Sequence, residues 1–172
     1  ADKYRTFWNE FGGFIKECIA TEPDSHGKFV DLLRFQSSFG KDADEWVSLK
    51  QYVDRMESDQ SEIYYILGDD YDVVSRSPHM EYFKKHDIEV LYMTDPMDSF
   101  MVTGLNEYDG KPMKNVDDAG LDLPEEDMPD EKKGKEDTIP ADEFEALVAR
   151  FKEVLGERGE DVRESKILTD SP

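Results

Sequence analysis

A single cysteine, Cys18, stands in the 172 residues, so no disulfide framework exists within the chain. No apolar run approaches the roughly 18 residues that a membrane span needs. The opening Ala1-Asp2-Lys3 has no apolar signal-peptide core. Basic residues are scarce as well: 21 Lys and Arg stand against 42 Asp and Glu, a formal net charge of −21. Such a surface repels phosphate backbones and anionic lipid, which argues against nucleic acid and membrane as partners. Phosphate loops are missing too, with neither G-x-x-x-x-G-K-[ST] nor G-x-G-x-x-G after a strand. Together these absences describe a soluble, reducing, cytoplasmic setting. In it Cys18, on an apolar helical stripe, reads as a buried small hydrophobe.

What is present suffices for a packed core, with 37% apolar and 12% aromatic residues. Tyr4, Phe7, Trp8, Phe11, Phe14, Ile15, Cys18 and Ile19 recur at helical spacing and predict a long amphipathic helix. Gly12-Gly13 inside it suggests close packing. After the break at Pro23-Asp24-Ser25, a second helical stretch runs through Phe29, Leu32 and Leu33, then a short extended segment from Phe35 to Ser37. Ser48 and Gln51 form a capping box that predicts a third helix from 48 to about 57.

Ile63 to Leu67 reads as a buried strand closed by Gly68. A helical stretch over about 70–86 follows, restarted at Ser77-Pro78. Ile88 to Met93 is the next strand, and Asp95-Pro96 opens a helix through Met97, Phe100 and Met101. Asp109-Gly110 is a turn, and 112–116 predicts one further edge strand. Strands alternating with helices imply right-handed crossovers. The expected class is α/β: a helical connector (1–33), then a small three-layer α/β/α unit (34–116) with a short, mainly parallel sheet. Residues 117–137 hold ten acids and three bases and read as an acidic linker. Residues 138–172 carry a helix through Phe144, Leu147, Val148, Phe151, Val154 and Leu155, stopped by Gly156, and an extended Val162 to Thr169. One helix and one strand cannot bury a core, so this part reads as a truncated α+β segment of a larger domain.

Two chemistries suggest themselves. Asp69, Asp70 and Asp95 follow strands, where open parallel sheets bind ligands. They could hold Mg²⁺ in a small phosphoacceptor domain, with Lys111 the nearest lysine, or Asp70 and Asp95 could simply cap the helices that follow. His26, His79 and His86 share no metal-ligand spacing and read as surface residues. The acidic 117–137 stretch lacks the order of a calcium loop. No nucleophile stands with its base. The second feature is apolar. Met93, Met97, Phe100, Met101 and Val102 fall within ten residues, and methionine with aromatics makes surfaces that accept many partners. Some exposed apolar area is expected there, which would mark an interaction site.

Several collinear segments resemble the heat-shock protein 90 family of chaperones, its bacterial branch in particular. They are Phe7-Trp8-Asn9-Glu10-Phe11-Gly12, Leu32 to Ser38, Ser48-Leu49 with Tyr52-Val53 and Arg55-Met56, and Ile63 to Ile66. Ser77-Pro78 with Glu81, Ile88 to Leu91, Glu107 to Pro112, Leu155-Gly156, Val162-Arg163 and Leu168 to Pro172 continue the series. By that resemblance residues 1–116 belong to the later middle domain and 138–172 begin the C-terminal dimerisation domain, the chain being an internal fragment. The resemblance places ATP and Mg²⁺ in the full-length protein, upstream of these residues, and implies no catalytic, cofactor or metal site here. It implies homodimers when full length, partners among the protein's own N-terminal and C-terminal domains, and unfolded or partly folded client proteins. Phe100, Met97, Met101 and Met93 are the expected client-binding residues. Phe100 stands where bacterial relatives usually carry tryptophan, and Ser99 where they carry an acid.

Overall fold

The computed structural model describes residues 2–22, 26–41, 43–118 and 141–155. The chain starts with helix α1 (Asp2–Thr21), then α2 (His26–Phe29) running into a 3-10 turn (Val30–Leu32) and strand β1 (Gln36–Ser37). Helix α3 (Leu49–Val53) and strand β2 (Ile63–Leu67) follow. Next come α4 (Tyr71–Ser75), a 3-10 turn (Pro78–Met80), α5 (Glu81–Lys85) and β3 (Val90–Met93). Helix α6 (Asp98–Gly104), the hairpin β4 (Glu107–Tyr108) and β5 (Lys111–Asn115), and helix α7 (Ala141–Leu155) complete it.

The five strands lie in the order β1-β3-β2-β5-β4. The central β3, β2 and β5 are parallel, whereas β1 and β4 run antiparallel at the two margins. Every residue of β3 and four of the five in β2 are buried, as expected of parallel strands covered on both faces. Alternation divides them between two cores. Ile63, Tyr65, Leu91 and Met93 join Trp8, Ile15 and Ile19 of α1, Leu49 and Tyr52 of α3, and Met101 of α6. Tyr64, Ile66, Val90 and Tyr92 pack with Val74 of α4, Met80, and Tyr82 and Phe83 of α5. The N-terminal helix therefore shares one core with the sheet.

Local chemistry explains the boundaries. Ser48 accepts from the Gln51 amide while Gln51 Oε1 accepts from Ser48 N, which starts α3. Asp70 caps α4 through Val73 N, and Ser77-Pro78 restarts the chain after Arg76. Three expectations need correcting. The 112–116 strand is interior, because Asp109 (φ 52°) and Gly110 (φ 72°) form a tight hairpin loop that lays β4 along its outer side. Strand β3 begins at Val90 rather than 88. Glu89 instead turns into a buried network: Ser37 Oγ donates to its Oε1 at 2.6 Å, and Arg55 approaches both carboxylate oxygens at 2.5 and 3.0 Å. Helix α3 also ends at Val53, four residues short of its expected end, and Arg55 beyond it serves that network. The extended Val162–Thr169 and the linker from 119 to 137 lie outside the described residues.

Two contacts fasten the layers. The fully buried Tyr52 hydroxyl donates to Glu89 O (2.7 Å) and accepts from Tyr64 N and Gln60 Nε2 (both 3.0 Å). Burial pushes its phenol far above the usual tyrosine range. At Gly104 a side-chain carbon would meet Ile19 O at 2.9 Å, so α6 ends with its backbone against α1. Of the glycine pair in α1, Gly12 is the tight one, since a side-chain carbon there would meet the Trp8 ring at 2.9 Å, while Gly13 faces open space.

Tyr52→Phe would leave the Tyr64 amide and the Glu89 carbonyl without this partner. A stability loss of about 1–3 kcal/mol is expected from urea unfolding, with an unchanged m-value. A loss below about 0.5 kcal/mol would show that the hydroxyl is dispensable.

Candidate functional site

The seven residues of α6 sit on α1 and follow the β3 carboxyl end. Their seat is ionic at one end and steric at the other. Lys16, 5% exposed, places its Nζ 2.8 Å from Asp98 Oδ1 and 3.5 Å from Asp95 Oδ2. Asp98, the first residue of α6 and 1% exposed, also accepts from Asp95 N at 3.0 Å through Oδ2. Asp95 Oδ1 in turn accepts from Met97 N at 2.8 Å. The Lys16 ammonium lies 5.8 Å from the Trp8 ring centroid and 5.7 Å from that of Phe35, so aromatic faces complete its surroundings. Burial pushes the Asp98 carboxyl above the usual aspartate range, and the Lys16 charge opposes that rise.

A cleft of about 310 Å³ opens beside this pair, lined among others by Trp8, Arg34, Trp46, Thr94 and Asp95. Trp8 and Trp46 meet edge to face with centroids 5.9 Å apart.

The four residues expected to form one contact patch separate. Met93 (1% exposed) and Met101 (0%) are core side chains and offer no surface. Met97 is partly exposed, and Phe100 is 65% exposed. A short helix seated on α1 turns Met101 inward, and Phe100, one residue earlier, points out. Sequence reasoning missed the Lys16–Asp98 pair, although a lysine beside Ile15 on the apolar stripe was a legible signal. It also missed that Phe7, Phe11 and Phe14 stay exposed, with Phe7 and Phe11 stacked at 5.3 Å.

Two of the three acids of the Mg²⁺ alternative are otherwise engaged, Asp69 being the exception. Asp70 caps α4, Asp95 caps the α6 turn beside Lys16, and Lys111 Nζ reaches Gln60 O at 3.5 Å. Among the described residues no three of His, Cys, Asp and Glu group as metal ligands would. The histidines are partly exposed: His26 Nε2 is 2.6 Å from Ile19 O, and His79 Nδ1 is 3.0 Å from Asp117 Oδ1. Cys18 is partly exposed, contrary to expectation, because it lies on the flank of α1 with the exposed phenylalanines. No described helix is long and apolar enough to cross a membrane.

The family model described as Hsp90 protein matches residues 1–172. The chain belongs to the Hsp90 family. It is 42% identical over 171 residues to chaperone protein HtpG of Aromatoleum aromaticum, covering 99% of this chain and 26% of that protein. Against chaperone protein HtpG of Bordetella avium the identity is 40% over 171 residues, covering 99% of the chain and 27% of the relative. The chain thus spans about a quarter of the length of these curated relatives. Its fold is similar to the middle domain of a Plasmodium falciparum heat shock protein. There the TM-score is 0.64 at 30% identity, with 69% of this chain and 49% of that one covered. The α/β class expected from the sequence is the class of that Hsp90 neighbour.

In this Hsp90 chain the ion pair has a testable electrostatic signature. Lys16→Met removes the charge that opposes desolvation, so the Asp98 carboxyl should titrate at higher pH than in the wild type, as read by carbon-detected NMR. At pH 7 the variant should lose about 3–5 kcal/mol, since an uncompensated charge stays buried. A folded-state value raised above the unfolded one makes stability grow as pH falls through that window. The deficit should therefore shrink on acidification, and a pH-independent deficit would contradict the assignment.

Proposed function

We propose that this chain contributes client-contact surface, and the joint between middle and C-terminal domains, to a chaperone that assists protein folding. The whole protein acts as an ATP-driven dimeric clamp in the cytoplasm and takes unfolded or partly folded client polypeptides. Residues 1–33 serve as the helical connector and 34–116 as the small α/β/α unit of the middle domain. The acidic linker 117–137 leads to residues 138–172, which begin the dimerisation domain. Its partners are clients, the N-terminal and C-terminal domains of the same polypeptide and, through the full-length dimer, a second copy.

The observation that carries this reading is Phe100, an aromatic side chain 65% exposed on a helix otherwise held against the core. With Met97 beside it, Phe100 offers apolar area without directional hydrogen bonding, so it discriminates weakly among greasy segments. Shallow burial favours reversible capture, which a chaperone needs for release. The net charge of −21 adds long-range attraction for basic unfolded chains.

ATP and Mg²⁺ belong, in this reading, to other parts of the polypeptide. In support, Asp70 is a helix cap and Asp95 and Asp98 face Lys16, so these three carboxylates are already engaged. No step of hydrolysis is assigned to them.

Phe100→Asp replaces contact area with a charge. Capture of a reduced, carbamidomethylated basic protein, followed by fluorescence anisotropy, should weaken by about 1–2 kcal/mol, or roughly 5- to 30-fold. In the full-length protein basal ATP hydrolysis should stay within about twofold, because the Phe100 side chain stands on the exposed face of α6. Equal affinity for mutant and wild type would remove Phe100 from the contact surface.

A further inference from the structure

Helix α6 has only seven residues, too few to hold a conformation by its own hydrogen bonds. Its position must come from tertiary contacts. Three are visible: Met101 inserted in the core, Gly104 against Ile19 O, and Asp98 bound to Lys16 at 2.8 Å. The first two are non-directional or steric. The third is directional, buried, and located where the helix begins, two residues before Phe100. Lys16 also reaches Asp95, whose Oδ1 accepts from Met97 N, so one ammonium organises the whole Asp95–Asp98 turn.

We infer that Lys16 of α1 is a positioning residue for α6, setting how Met97 and Phe100 are presented to clients. The inference rests on the contact role of Phe100 proposed above. The buried pair fits this role better than a stabilising one. A buried ion pair is weak evidence for stability, since apolar residues of similar volume do as well, whereas its geometry admits one arrangement. The β3–α6 turn has few backbone partners beyond these carboxylates: Asp95 N and Met97 N both bond to them. Without Lys16 the two carboxylates repel each other, and the turn loses the charge that holds them together.

The test uses the complete chain with Lys16→Met and, separately, Lys16→Met/Asp98→Leu, which removes both charges and spares the fold an orphaned ion. Hydrogen exchange of residues 98–104 in Lys16→Met should quicken by at least about tenfold relative to β2 and β3, roughly 1.4 kcal/mol of local stability. Exchange there that follows the rest of the sheet would overturn the inference. In the double variant, global stability by urea should return to near wild type while capture of reduced, carbamidomethylated ribonuclease A stays at least about threefold weaker. Recovery of capture together with stability would show that the pair only stabilises, and would also overturn it. Phe100→Ser on the same probe keeps the two claims separate. Full affinity there sinks the contact role of Phe100, whereas the exchange result judges Lys16 irrespective of any client.

Discussion

Strands β2 and β3 are apolar on both sides, and neither face can be left to water. That constraint shapes everything else in the described residues. Two faces need two helical covers, so α4 and α5 take one side while α1, α3 and α6 take the other. The alternation Ile63/Tyr65 against Tyr64/Ile66, repeated as Leu91/Met93 against Val90/Tyr92, assigns each side chain to its layer. Because β3 is followed by α6 on the α1 side, the turn after β3 must cross from the sheet to α1. There the chain places its acidic residues beside a buried lysine.

Three polar groups inside this apolar frame follow one rule: each is paired. Glu89 is answered by Arg55 and Ser37, the Tyr52 hydroxyl by a carbonyl and two donors, and Asp98 by Lys16 and a backbone amide. Buried polar groups left without partners cost about 1–3 kcal/mol each, so such networks persist only when complete. They also restrict how elements can slide. Apolar packing tolerates small shifts, whereas a carboxylate held by an ammonium and an amide does not. Behind α6 the Lys16–Asp98 pair is such a fixed point, while Phe100 on the outer side of the same helix stands clear of the core.

Much was legible from residue order, and the reasons are local. The wide aromatic stripe of α1, the Ser48–Gln51 capping box, the restart at Ser77-Pro78 and the Asp109-Gly110 turn all act within a few residues, and all are present. The amphipathic spacing from Phe144 to Leu155 likewise marks α7. Less legible was anything depending on partners distant in sequence. Glu89 looked like a strand residue, because nothing local shows that Arg55 and Ser37 converge on it from 34 and 52 residues away. The 112–116 segment looked like an edge, because two-residue β4 carries no periodicity of its own. Met93, Met97, Phe100 and Met101 looked like one patch, since composition does not report which side of a short helix faces inward.

Taken alone, the order of residues determined the α/β class, the succession of the longer elements and the Hsp90 kinship. These depend on propensity, caps and collinear motifs, which operate between near neighbours. Only the tertiary structure decided which apolar residues have surface, which acids are already bound, and that Lys16 of the first helix sits beneath the sixth. Those outcomes depend on long-range packing and on desolvation, and burial of a charge has no meaning until the neighbours that exclude water are in place.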